Sequence, residues 1–304
     1  MMIDQATTLR LMAAGSTDGG LSPVTTATVN ETSGLTTGAT LSIAITSGKG
    51  GVGKSNVAVN VSLELAALGY RVTLLDADLG LANADVLLGL IPKSHLGQVL
   101  TGQRTLQEVV IQVTEGMRLI PGGSGVAELA NLTQNQQARL FSELRAIETD
   151  SDFLIVDTAA GISGSVTGIL KAVDEVIIVT TPDPTALVDA YATIKVLHQA
   201  VPATPIWIVI NDVTDLNDAE RVYAQLRSTT ARFLHREITH LGTIPRDAEL
   251  VEAVREQMPV VKYAPETPAS RALRLIARHL GVTRTNQGNN HHISFWSALQ
   301  PSDQ

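Results

Sequence analysis

The sequence predicts an α/β fold: a doubly wound, mostly parallel sheet with helices on both faces. Three observations carry that prediction. Apolar runs of strand length recur at 41–46, 71–76, 117–120, 153–157, 175–180, 206–211 and 240–244. Segments between them place apolar residues at helical spacing, so strands and helices alternate as βαβ crossovers require. Several runs close on Asp, Asn or a Gly-containing turn, the punctuation expected where strands deliver polar groups to one edge of a parallel sheet.

The chain of 304 residues is long enough for one large domain with tails and a sizeable core. Its hydrophobic content of 44% reads as globular. Cys is absent, which removes disulfides, thiolate metal sites and cysteine nucleophiles from consideration. A formal charge of −8 argues against a nucleic-acid surface, so no direct nucleic-acid partner is expected. No apolar run approaches transmembrane length, and the N-terminus lacks a signal peptide's basic start and apolar stretch. A cytoplasmic location is therefore the expectation.

Residues 1–14 read as a short helix: Asp4 can cap it, Ala6, Leu9 and Ala13 share a side, and Gly15 ends it. From 15 to 40 the chain is rich in Gly, Ser and Thr, with Asp18 and Glu31 its only charges, and reads as a flexible linker. A helix too short to be stable alone, held on a tether, reads either as a docking element or as a frayed terminus.

The large domain, 41–281, begins with the strand Leu41–Thr46. Next comes Gly48-Lys49-Gly50-Gly51-Val52-Gly53-Lys54-Ser55, then a helix from Asn56 to Leu68 with Val57, Val61, Leu65 and Leu68 at helical spacing. Strand, Gly-rich turn and helix N-terminus form a phosphate cradle. Its glycines let successive N–H groups point inward, and the helix end adds partial positive charge. Two readings compete. Gly48, Gly50 and Gly53 also satisfy G-x-G-x-x-G, and Asp76 closes the next strand where a dinucleotide fold would place an acid. The Lys54-Ser55 pair decides for a P-loop: Lys54 would reach the β- and γ-phosphates, and the Ser55 hydroxyl would serve Mg²⁺.

The strand 71–76 runs into Asp76-Ala77-Asp78. Asp76 would bond to metal-bound water and Asp78 would orient the attacking water, the alternative being loop capping. A strand at Met117–Ile120 and a helix at 134–147 lead to Phe153-Leu154-Ile155-Val156-Asp157, an apolar run ending in a second Mg²⁺-side carboxylate. Gly161 gives the following loop freedom to respond to the γ-phosphate. Asn211, Pro245 and Asp247 close two later strands at the P-loop edge, where a base and ribose would lie. Ala269–Leu280 reads as a last helix facing the core through Leu273, Ile276 and Leu280. Residues 282–304 form a polar tail with a short aromatic segment, Phe295-Trp296, able to touch a membrane or a partner groove. His291-His292 offers no full metal ligand set.

The P-loop string, with Lys49 early in it, resembles the deviant Walker A motif of the MinD/ParA ATPases. Leu74–Asp85 and Phe153–Gly161 extend the resemblance to the MinD-like branch. More narrowly, Asp4-Gln5-Ala6-Thr7-Thr8-Leu9-Arg10 is similar to the D-Q-A-x-x-L-R head of the FlhG/FleN (YlxH) group, regulators of flagellar number and placement.

The resemblance implies slow hydrolysis of ATP to ADP by a homodimer that sandwiches ATP, with Lys49 reaching the partner's phosphates. It implies a nucleotide site of Gly48 to Ser55, Asn56, Asn211, Pro245 and Asp247, and catalytic roles for Asp78, Lys49 and Lys54. It implies Mg²⁺ at Ser55, Asp76 and Asp157, the last two through water. The head residues Asp4, Gln5, Ala6, Leu9 and Arg10 would stimulate the signal-recognition-particle-like GTPase FlhF. Flagellar C-ring proteins and a flagellar transcription activator are further partners of the group. Its membrane association, at the cell pole, uses a cationic amphipathic C-terminal helix, from which this tail departs because it ends without Lys or Arg. The alternative within the family is division-site positioning or DNA and cargo segregation.

Overall fold

The computed structural model describes residues 39–78, 83–100, 102–122, 134–287 and 294–299. The head motif, the linker up to residue 38, the Leu79–Ala82 stretch and His291-His292 lie outside the described residues.

Eight strands form one sheet in the order β3-β4-β2-β5-β1-β6-β7-β8. They are β1 (Leu41–Thr46), β2 (Val72–Ala77), β3 (Ile111–Thr114), β4 (Met117–Ile120), β5 (Phe153–Thr158), β6 (Glu175–Thr180), β7 (Ile206–Val213) and β8 (Thr239–Pro245). Every pairing is parallel except β3 with β4, which adds an antiparallel edge. The inner strands β1, β2, β5 and β6 are buried along their whole lengths, as continuous Val/Ile/Leu-rich runs require when both sheet faces are covered.

The twelve described helices are α1 (Lys54–Ala67), α2 (Ala84–Leu87), α3 (Leu96–Leu100), α4 (Leu106–Val109), α5 (Gln134–Thr149), α6 (Gly164–Ala172), α7 (Pro184–Ala200), α8 (Leu216–Leu234), α9 (Ala248–Arg255), α10 (Val260–Tyr263), α11 (Pro268–Gln287) and α12 (Phe295–Ala298). One core joins Val57, Val61 and Leu65 of α1 to Leu273, Ile276 and Leu280 of α11 across Ile43 and Ile155. The opposite core joins Leu144 of α5, Ile169 of α6 and Ile194 of α7 to Ala44, Val156 and Ile178. Successive strand residues thus feed opposite faces, which is the two-sided burial read from the sequence.

Two elements depart from the sequence reading. The last helix does not stop at Gly281 but continues to Gln287. Gly281 serves packing instead: a Cβ there would lie 3.0 Å from the Tyr70 ring and hydroxyl, and Tyr70 Oη donates to the Gly281 carbonyl at 3.3 Å. The aromatic segment is also not free for a membrane or a partner. Phe295 and Trp296 are buried, stacked edge-on with centroids 4.7 Å apart, in the core that includes α5 and α6. Glu148 anchors the segment by accepting from the Phe295 amide at 2.8 Å and from the Ser294 hydroxyl. Among the described residues no helix is long and apolar enough to cross a membrane.

Candidate nucleotide site

The P-loop crosses from β1 to α1 at the C-terminal edge of the sheet. Gly51 and Gly53 have φ of +80° and +89°, left-handed values that favour glycine. Space is a second constraint. A Cβ on Gly53 would meet Asn211 Nδ2 at 2.3 Å, and one on Gly48 would meet the Asp189 carbonyl group of α7 at 2.3 Å. Two bonds pin the loop: Asn211 Nδ2 donates to the Val52 carbonyl at 2.8 Å, and the Gly161 amide donates to the Ser47 carbonyl at 2.8 Å. The second ties the segment after β5 directly to the phosphate cradle.

Inside the loop, Lys54 is buried and its Nζ lies 2.6 Å from Asp157 Oδ1, 3.9 Å from Asp78 Oδ2 and 3.3 Å from Ser55 Oγ. Parallel pairing sets Asp76 and Asp157 directly side by side on β2 and β5. Burial pushes the Asp76 carboxyl up to about 7, with the neighbouring Asp157 charge adding to the rise. The Asp157 carboxyl is raised too, again by burial, with Lys54 opposing. Asp76 accepts from the amides of Asp78, Asn83 and Ala84 at 3.1, 3.1 and 3.2 Å, so it fastens the residue that follows β2 and the start of α2 to the same carboxylate.

These residues fit Mg²⁺. Asp157 Oδ2 is fully buried and has no hydrogen-bond partner among the described residues, beside a second carboxylate and the Ser55 hydroxyl. A hard oxygen-donor set of this kind suits the ion. No cluster of three or more acidic, His or Cys ligands stands ready among the described residues.

Lys49 points elsewhere. Its Nζ donates to Asp183 Oδ2 at 2.8 Å and to Thr185 Oγ1 at 2.6 Å, and the pair is partly exposed at the rim. The Lys49 ammonium, helped by the Thr185 amide, holds the Asp183 carboxyl down at about 2. Asp183 also caps α7 through the Thr185 amide. A cleft of about 420 Å³ opens between this pair, the loop residues Gly50 to Val52, and a second ion pair, Asp212 with Arg246.

The structure therefore gathers Gly48 to Ser55, Asp76, Asp78 and Asp157 into one site, with Asn211 fixed against the loop. Asn56, just after Ser55, lies in the first turn of α1. Pro245 ends β8, and the Asp247 carboxylate is committed to capping: it accepts from the amides of Glu249 and Ala269 at 3.0 and 3.1 Å. Asp183 and Thr185 escaped the sequence reading, and Asp212 and Arg246 lie in the two strand tips it marked without a role of their own. The string Asp183-Pro184-Thr185 signals a helix start, but nothing in it points to a lysine 134 residues earlier.

Residues 39–281 match the family model described as ParA: NUBPL iron-transfer P-loop NTPase. The chain belongs to the MinD/ParA family of P-loop ATPases. The 304 residues contain no Cys, the residue whose thiolate would hold iron. Among MinD/ParA relatives, it is 40% identical to the antiactivator FleN of Pseudomonas aeruginosa, over 84% of this chain and 91% of that protein. It is 36% identical to the flagellum site-determining protein YlxH of Helicobacter pylori, over 79% and 81% of the two chains. Among solved structures, MinD of Aquifex aeolicus in its MinC:MinD complex superposes with a TM-score of 0.65 at 26% identity, covering 80% of this chain and 96% of that one. MinD of Pyrococcus horikoshii complexed with Mg-ADP gives 0.64 at 25%, covering 81% and 99%.

Proposed function

We propose that this chain is an ATP-dependent dimerising switch with slow hydrolysis that regulates flagellar number and placement. The observation that carries the switch is the division of labour between two lysines on one loop. Lys54 is buried against Asp157, whereas Lys49 stands at the rim, clear of its own metal-side carboxylates. One lysine suffices for phosphates held within one subunit, and the rim position of Lys49 supports a role toward a nucleotide in a second copy. The identity to FleN and YlxH supports the flagellar role.

In this reading the P-loop amides and Lys54 hold the β- and γ-phosphates of ATP. Ser55, Asp76 and Asp157 would hold Mg²⁺, the carboxylates through water. The ion, when bound, supplies charge neutralisation at the phosphates. Asp78 orients water for in-line attack on the γ-phosphorus, and the bond to the bridging oxygen breaks to give ADP and phosphate. Lys54, and Lys49 of the other subunit, stabilise charge on the equatorial oxygens. Val52's carbonyl can only accept, so Asn211 must turn its Nδ2 toward it and keeps Oδ1, an acceptor suited to adenine's amino group. Pro245 borders the base, and Asp247 acts by fixing the start of α9. The domain plan is a partner-activating head at 1–14, a linker at 15–40, the ATPase domain and the tail. In it, the head motif Asp4 to Arg10 stimulates FlhF.

Two experiments test the proposal. Asp78→Ala should bind ATP, accumulate dimer and lose turnover, while Lys54→Ala should lose nucleotide altogether. Hydrolysis by Asp78→Ala at the wild-type rate would overturn the role of that carboxylate. Pull-downs with intact protein and with a chain lacking 1–14 should differ in retention of an FlhF-type GTPase. Equal retention would return the choice to the wider family.

A further inference from the structure

We infer that Arg246 is a base-specificity residue: by occupying both oxygens of Asp212, it masks a carboxylate at the nucleotide cleft that would otherwise accept guanine. The inference rests on the nucleotide reading above and extends it to residues which that reading leaves unused.

The backbone supplies the first argument. Strands β7 and β8 pair Ile210 with Thr243 and then Val213 with Pro245, so three steps on one strand face two on the other. The extra residue is a bulge at Asn211-Asp212, a device that re-aims side chains beside functional sites. Asp212 takes φ of +58° there, a left-handed value uncommon outside glycine. In a regular strand Asn211 and Asp212 would point to opposite faces. Here Asn211 bonds the P-loop at Val52, while Asp212 lines the cleft shared with Gly50, Gly51 and Val52.

The ion pair supplies the second argument. Arg246 Nε and Nη2 donate to Asp212 Oδ1 and Oδ2, both at 2.7 Å, a fork that uses both carboxylate oxygens. The two side chains are 63% and 45% exposed, so the pair contributes little to stability and does not by itself account for an unusual backbone. Its consequence at the cleft is chemical. A free carboxylate accepts the paired N1–H and N2–H donors of guanine, whereas adenine offers an acceptor at N1 and no N2 amino group. A free carboxylate would also place negative charge beside a triphosphate. Arg246 cancels both effects and leaves the Asn211 acceptor to select adenine.

The test is competition binding under Mg²⁺, with a fluorescent ATP analogue displaced by unlabelled ATP or GTP. The proteins are wild type, Arg246→Ala and the double variant Asp212→Ala with Arg246→Ala. Arg246→Ala should raise GTP affinity relative to ATP by about tenfold or more, and the double variant should restore the wild-type ratio. A ratio in Arg246→Ala within about twofold of wild type would overturn the inference, as would a shifted ratio that persists in the double variant. Wild-type protein that binds ATP with an unmoved ratio in the variant sinks this inference alone. Wild-type protein that binds no ATP sinks the nucleotide reading with it.

Discussion

Replacing Gly48 by Ala is the substitution whose cost the structure fixes most closely. A Cβ at this position would sit 2.3 Å from the Asp189 carbonyl carbon and oxygen, where ordinary contact begins at 3.4 Å. Loop and helix must therefore separate by roughly 1.1 Å, the gap between those two values. Helix α7 has little room to retreat, because Ala190, Ile194 and Leu197 are buried in the core behind it. Overpacking of this kind costs about 1–3 kcal/mol. A domain of this size loses about 2–4 °C per kcal/mol, so the melting temperature of nucleotide-free protein should fall by roughly 2–12 °C. ATP affinity should fall with it, since the loop carries the phosphate-binding amides. Gly50→Ala is the control: no atom lies within 4 Å of a Cβ there, so its nucleotide-free melting curve should match wild type. Differential scanning calorimetry without nucleotide decides the matter. Gly48→Ala melting within about 1 °C of wild type would refute the reasoning.

Other perturbations separate the remaining contacts. Asp183→Asn weakens the hold on Lys49, so cross-linked dimer should form at lower ATP concentration; an unchanged or higher requirement would mean that the pair does not restrain the lysine. Phe295→Ala empties a fully buried ring site and should cost about 3–5 kcal/mol by urea denaturation. A loss below about 1 kcal/mol would place the tail outside the core. Asp76 has a folded-state carboxyl raised to about 7, so the folded protein holds a proton that the unfolded chain releases. Its contribution to stability is therefore full below about pH 4 and is lost as pH rises through about 7. In EDTA, Asp76→Asn should gain stability relative to wild type between pH 5 and 8, and a constant difference across that range would contradict the assignment.

The sheet was legible because its strands are buried on both faces: β1, β4 and β6 fall on the residues that their apolar runs mark. Strand β2 shifts by one residue, and β7 runs on to Val213, since strand ends are set by pairing as well as by composition. The edge strand β3 and the short helices α3 and α4 left no comparable signal. They are too short for periodicity to show and are held by local or tertiary bonds, such as the Leu96 amide to the Pro121 carbonyl and the capping box of Thr105 with Glu108. The Gly281 and Phe295 readings failed for one reason. A glycine that admits Tyr70 and an aromatic that fills a core look, in sequence, like a helix stop and an exposed anchor. In the site, the P-loop string and the strand-end acids were legible because phosphate and metal chemistry constrain residue type and spacing. The partners of Lys49 and Asp212 were not, because crossovers and a bulge bring them together.

The most direct test is the mass of Asp78→Ala by multi-angle light scattering with saturating Mg-ATP and, separately, with ADP. The account predicts twice the 32.2 kDa chain mass with ATP and a single chain with ADP. A single-chain mass in both nucleotides, under conditions where ATP is shown to be bound, would contradict it.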